Sequence, residues 1–196
     1  MRPSARSPPT FRSRTRWSAW RRPSPAPARS TSSSTTLVVS AALPARDWLS
    51  VAADWEGELQ GNVLPAVLLT EALDRVLRRP GGSIVNVSSI AAVNGGGDSY
   101  SGAKAAVLGW TIDLAVRLGG EGVRVNAVVP GYVEGTEFFG DRMTEERHDR
   151  LIARTLLRRA RTPDDIAGCV YFLASDEAAY VTGHFLHVNG GAVLGR

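Results

Sequence analysis

The sequence predicts an α/β fold, a parallel sheet covered on both faces, and three observations lead there. Short apolar runs, rich in valine, recur at Ser83–Val87, Val123–Val129 and Phe185–Val188. Glycine and proline punctuate the ends of these runs. Between them lie longer stretches with helical periodicity. Strands buried on both faces read as continuous apolar runs, and their alternation with helices belongs to parallel sheets.

Taken in order, residues 47 to 77 carry a helical pattern beginning at Asp47. Pro80-Gly81-Gly82 then announces the first strand, Ser83–Val87. A helix is expected from Tyr100 to Leu118, stopped by Gly119-Gly120, and the second strand, Val123–Val129, ends at Pro130-Gly131. Further helices are expected at Glu145–Arg158 and Pro163–Ser175. Thr162 is suited to cap the latter, with Pro163 in its first position, where a missing N–H costs nothing. The last strand, Phe185–Val188, precedes Gly190-Gly191. No internal repeat is evident.

Composition divides the chain near residue 37. Residues 1–36 hold eight arginines and no acid, in an Arg/Ser/Pro/Thr-rich run without periodicity. Such composition rarely buries a core, so this segment is expected to be disordered. The net charge of +4 is therefore uneven, because residues 37–196 carry 15 basic against 19 acidic side chains. A lone cysteine, Cys169, excludes an internal disulfide and offers no metal cluster, and it fits a reducing, cytoplasmic setting. No apolar run approaches the roughly 20 residues of a membrane span, so no membrane partner is expected.

The strongest local signal is Tyr100-Ser101-Gly102-Ala103-Lys104. Residues four apart share a helix face, which stacks a phenol beside an ammonium. The positive charge is expected to lower the tyrosine's pKa and suit it to proton exchange with an alcohol oxygen. An isolated pair of this spacing is usually a surface tyrosine and a solvated lysine. Here, however, Lys104 is the only lysine beside 22 arginines. A chain that elsewhere uses arginine for positive charge has placed its one compact, rotatable ammonium at this position. Upstream, Ser88-Ser89 ends the first strand, where open α/β sheets bind ligands. Serine is also common in ordinary strand-to-loop turns. Phe138 and Phe139, in the stretch Gly135–Met143, read equally well as a substrate wall or as packing.

N-V-S-S, Y-S-G-A-K, V-N-A-V-V-P-G-Y-V and V-T-G-H-F-L-H-V-N-G-G stand in the order and approximate spacing of classical short-chain dehydrogenases/reductases. Over roughly residues 40–196 the chain resembles the C-terminal portion of that family, in its 3-oxoacyl-(acyl-carrier-protein) reductase-like form. The resemblance implies a doubly wound, Rossmann-like parallel sheet and hydride transfer between NAD or NADP and a ketone or secondary alcohol. It implies Tyr100 as acid/base, Ser89 as the substrate-orienting hydroxyl and Lys104 as the ribose-binding group that lowers the tyrosine pKa. Asn62, in Q-G-N-V-L, corresponds to the asparagine that holds a relay water. Pro130, Gly131 and Val133 correspond to the segment against the nicotinamide, and Thr136 to the threonine near its amide or phosphate region. A homodimer or tetramer is implied, pairing through helices around residues 55–78 and 100–118, with 3-oxoacyl thioesters, sugars and steroids all open as substrates.

Two spacings depart from the family. Ser89 and Tyr100 are eleven positions apart, slightly close, and Thr136 falls one residue late after Pro130-Gly131. A larger departure is the glycine-rich turn and N-N-A-G motif expected before Val39, both of which are missing; the first glycine is Gly57. Backbone N–H groups of such a turn approach the cofactor's pyrophosphate. A shifted reading frame is the first account of residues 1–36. With one choice of GC-rich codons for Arg29–Val38, reading from the third base gives L-D-V-L-V-N-N-A-G. A transit peptide ranks second and a nucleic-acid-binding arm third, the latter lacking any recognised module. Without the first strands, a central strand becomes an open edge and poor solubility is expected.

Overall fold

The computed structural model describes residues 47–194, so the expectations for residues 1–36 lie outside the described residues. The chain enters on helix α1 (Trp48–Asn62), whose first N–H groups are capped by the Asp47 carboxylate, which accepts from Leu49 and Ser50. The single helical stretch expected over residues 47–77 divides here. Helix α2 (Leu64–Leu73) begins after Val63, with Pro65 in its first turn. Proline has no N–H for the continuing ladder, and its ring crowds the preceding turn, so the helix restarts instead of running through.

Strand β1 (Ser83–Val87) follows, then a short helix α3 (Ala91–Asn94) and the long helix α4 (Ser99–Leu118). Strand β2 (Arg124–Pro130), helix α5 (Glu145–Ala153), helix α6 (Pro163–Ala174) and strand β3 (Phe185–Val188) complete the described elements. The strands form one parallel sheet in the order β1-β2-β3, with Ser83 opposite Arg124 and Ala127 opposite Phe185.

Side-chain alternation along β2 explains the layering. Val125, Ala127 and Val129 face α4, where they are buried with Leu108, Leu114 and Leu118. Asn86, level with Ala127, lies on the same face and donates to the Thr111 hydroxyl of α4 at 2.9 Å. The other face carries α6. Ser83 donates to the Leu173 carbonyl at 3.1 Å, and Arg124 reaches the carbonyls of Leu173, Ala174 and Ser175. Cations at a helix C-terminus meet its unsatisfied carbonyls and its negative dipole end. The expected sheet, covered on two sides, is therefore present.

Helix α6 starts as its sequence requires. Asp165 accepts from the Thr162 N–H at 3.0 Å, closing a capping box with Thr162 and Pro163 at the start. Helix α5 ends at Ala153, short of the expected Arg158. Beyond it, the N–H groups of Leu156 and Leu157 both donate to the Gly190 carbonyl, a tertiary partner that replaces further helix.

Candidate functional site

Chain direction places the carboxyl ends of β1 and β2 together. Ser88 N–H donates to the Val128 carbonyl at 3.0 Å and Ile90 N–H to the Pro130 carbonyl at 2.8 Å. Ser89 lies between these two ties. Its hydroxyl accepts from Ala91 N–H at 3.2 Å, which fixes the side chain at the mouth of α3. That helix, which the sequence did not announce, takes up part of the short Ser89–Tyr100 connection.

Tyr100 lies in the first turn of α4 and Lys104 one turn later. The Lys104 ammonium is 5.7 Å from the Tyr100 ring centroid and donates to the Val87 carbonyl at 3.2 Å. The Ser88 hydroxyl in turn donates to the Lys104 carbonyl at 2.8 Å, pinning α4 to the end of β1. The Tyr100 phenol stands above its ordinary pKa, contrary to the lowering expected from its lysine neighbour. Burial drives it up, the Ser89 side chain pulls against this, and the Glu58 carboxylate adds to it. Burial also carries Lys104 below its ordinary value, opposed by Glu58.

Asn62, at the last position of α1, donates to the Glu58 carboxylate at 2.7 Å. Glu58 was not singled out by sequence, although its four-residue spacing from Asn62 placed both on one helix face. Helix α1 is seated on α4 through Trp55, whose ring lies over Gly102. A Cβ at Gly102 would collide with that ring. Alanine ordinarily outperforms glycine by about 1 kcal/mol inside a helix. At Gly102 the overlap with a rigid indole outweighs that gain, and Gly102→Ala is expected to destabilise the fold by about 1–2 kcal/mol. A shift of the urea midpoint to higher concentration would contradict this account.

At the end of β2, Gly131 N–H donates to the Val188 carbonyl at 3.3 Å, and Val133 pairs with Arg161. Arg161 is buried beneath this segment and donates to the Tyr132 carbonyl at 3.0 Å. A Cβ at Gly131 would press on its guanidinium at 3.1 Å, so glycine makes room for the arginine. The sequence placed Arg161 only at a helix start; its support of the Pro130–Val133 segment is a tertiary feature.

Thr136 stands apart from this group, exposed, with its hydroxyl donating to the Val133 carbonyl at 3.2 Å. Beyond it, Phe138 lies 5.5 Å from the Tyr100 ring and Phe139 packs edge-on against Phe138 at 4.8 Å. Tyr132 reaches back to Phe139 at 5.8 Å and hydrogen-bonds His148 of α5 at 2.8 Å. The aromatic stretch thus stands against the candidate acid/base while remaining partly open to solvent. Among the described residues no three metal-ligating side chains gather, and no helix is long and apolar enough to cross a membrane.

Comparisons with known proteins agree with this layout. The family model described as enoyl-(acyl carrier protein) reductase matches residues 36–193. Nodulation protein G of Rhizobium sp. (strain N33) is 35% identical over 145 residues, covering 72% of this chain and 58% of that protein. The 3-oxoacyl-(acyl-carrier-protein) reductase of Thermotoga maritima is 35% identical over 144 residues, with the same coverage of 72% and 58%. A short-chain dehydrogenase/reductase of the glucose/ribitol dehydrogenase type from Brucella melitensis superposes with a TM-score of 0.68 at 32% identity, covering 73% of this chain and 58% of that one. The chain thus spans a little over half the length of these relatives, in register with their C-terminal part. With motif order, sheet topology and family model in agreement, the chain belongs to the short-chain dehydrogenase/reductase family.

Proposed function

We propose that this chain carries the catalytic half of an oxidoreductase that passes a hydride between NAD(P)(H) and a ketone or secondary alcohol. The observation that carries the reading is the meeting of Ser89, Tyr100 and Lys104 at the carboxyl end of β1. In this reading the Tyr100 phenol gives its proton to the developing alkoxide and takes it back in oxidation. Ser89, held by Ala91 N–H, orients the substrate oxygen. Phe138 and Phe139 form an apolar wall beside the reacting carbon, and a small-molecule ketone or alcohol is the substrate class.

The donor set fits the nicotinamide-ribose end of the cofactor. An ammonium has three donors, and Lys104 gives one to Val87, which leaves others for ribose hydroxyls. Pro130, Gly131 and Val133 would line the nicotinamide side, and Thr136 would reach it only by turning from its bond to Val133. When bound, the nicotinamide supplies or accepts the hydride. Asn62 would hold the relay water through groups not engaged by Glu58. By the same family reasoning the working form is a cytoplasmic homo-oligomer. It would pair through the exposed apolar side chains Leu64, Leu68 and Leu69 of α2 and Ile112 and Val116 of α4.

A second reading has its own observation. No glycine precedes Gly57, and on this reading the chain by itself binds no nicotinamide cofactor and serves at most as a dimerisation partner. Titration with NADH and NADPH, followed by nicotinamide fluorescence, separates the two. Saturable binding of either is the expected result, after which 3-oxoacyl thioesters, sugars and steroids are assayed as substrates. A linear, non-saturating response to both cofactors would sink the oxidoreductase reading and leave the dimerisation partner.

A further inference from the structure

Helix α5 carries positive charge that neither the motifs nor the function just proposed employs. Arg147, Arg150 and Arg154 recur at spacings of three and four, which puts them on one side of the helix with Leu151. These four residues line a cavity of about 570 Å3. Arg147 also lies over the Phe139 ring, 4.7 Å from its centroid. Phe139 packs on Phe138 at 4.8 Å, and Phe138 on Tyr100 at 5.5 Å. The arginine-lined cavity therefore adjoins the aromatic stretch, two rings away from the candidate acid/base.

Ordinary helix chemistry does not account for this gathering. Arg154 closes α5, where a cation suits the negative end of the helix dipole, but Arg147 falls in the first turn, where the dipole opposes it. Glu146 has the spacing for an ion pair with Arg150, yet none forms. Among the described residues, the three guanidinium groups have neither a carboxylate within ion-pair distance nor a hydrogen-bond acceptor. Like charges held together repel, and an anion placed among them removes that cost. The stack on Phe139 fixes the plane of Arg147 and leaves the N–H groups along its edge to donate.

We propose that this cavity is a phosphate-binding subsite, and that the substrate is a ketone or secondary alcohol bearing a phosphate group remote from its reacting carbon. The subsite stands on the cavity and its charges, whereas giving the phosphate to a substrate rests on the oxidoreductase reading above. Planar guanidinium forks match phosphate oxygens in pairs, and three of them suit a dianion better than a single carboxylate. Steroids and unphosphorylated sugars would leave these charges unanswered.

The first arm needs no turnover. The full chain is titrated with inorganic phosphate at constant ionic strength, followed by phosphorus NMR linewidth. Saturable binding is expected, weakened about tenfold or more in Arg147→Gln/Arg150→Gln/Arg154→Gln. Arg2→Gln/Arg6→Gln/Arg12→Gln removes the same charge elsewhere and is expected to bind phosphate as the unmodified chain does. A non-saturating response would overturn the subsite. So would equal weakening in both variants, which would mark a general attraction to a basic chain. If the first variant melts early, Arg150→Gln/Arg154→Gln, which keeps Arg147 on Phe139, is read in its place.

The second arm compares fructose 6-phosphate with fructose, and 3-oxobutyryl-coenzyme A with its N-acetylcysteamine thioester. A higher kcat/KM for the phosphate-bearing member of a pair, lost in the arginine variant, is the expected result. Equal kcat/KM within each pair would overturn the assignment to substrate. Displacement of bound phosphate by NADPH and by neither fructose 6-phosphate nor coenzyme A would overturn it too, giving the cavity to the cofactor. Phosphate binding in a chain that takes up no nicotinamide upholds the subsite and counts against the oxidoreductase reading alone.

Discussion

On the oxidoreductase proposal, replacing Tyr100 by phenylalanine is expected to lower kcat for ketone reduction by about 10²–10⁴-fold while leaving KM within a few-fold, the range for losing a positioned proton donor. Phenylalanine keeps the ring that contacts Phe138 at 5.5 Å and removes only the hydroxyl. The fold should therefore survive, and a thermal melt run beside the kinetics guards against simple unfolding. Because the phenol stands above its ordinary pKa, the unmodified residue is protonated at neutral pH and ready to donate. Lys104→Arg should fail to replace the lysine. A planar guanidinium cannot occupy the compact position from which the ammonium reaches both the Val87 carbonyl and the face of Tyr100. A Tyr100→Phe loss smaller than about tenfold would remove Tyr100 from the chemistry.

The second large effect concerns stability. Asn126→Ala is expected to cost about 2–5 kcal/mol, read from urea unfolding. Asn126 is wholly buried in the middle of β2, an unusual place for an amide. Its side chain donates to the Val181 carbonyl at 2.8 Å and accepts the His184 N–H at 3.0 Å. Alanine would leave both backbone groups without their partner in the interior, each costing about 1–3 kcal/mol. The Thr182 hydroxyl, accepting from Val125 N–H at 3.0 Å, is a second tie across the same gap. Together they hold the turn that delivers β3 to β2. A cost below about 1 kcal/mol would show that this turn is held by the strand ladder alone.

The family motifs were legible because each is a local chemical requirement. Ser83–Val87 and Phe185–Val188 were readable as strands to their last residues, since apolar runs bounded by glycine and proline leave little else for the backbone to do. The α4 start, the Thr162–Pro163 cap and the Tyr100–Lys104 spacing follow from helical geometry in the same way. Pro65 carried a legible warning as well, and the break before α2 shows its effect overriding a continuous helical pattern.

Other features depend on partners distant in sequence. The loss of helix after Ala153 is decided by the Gly190 carbonyl, more than thirty residues away. The support of the Pro130–Val133 segment comes from Arg161, and the position of Phe138 comes from its packing beside Tyr100. No local pattern announces such contacts.

By itself, then, the sequence determined the family, the strand order's raw material and the phenol–ammonium pair, because spacing and residue type fix what shares a helix face. Only the tertiary structure decided the electrostatic state of that pair. The sequence placed one positive charge beside Tyr100 and so pointed to a lowered pKa. Folding buries the phenol, and this burial, with a smaller contribution from the Glu58 charge on α1, raises it. Desolvation and charge across a helix contact depend on distances in space, which the order of residues along the chain does not express.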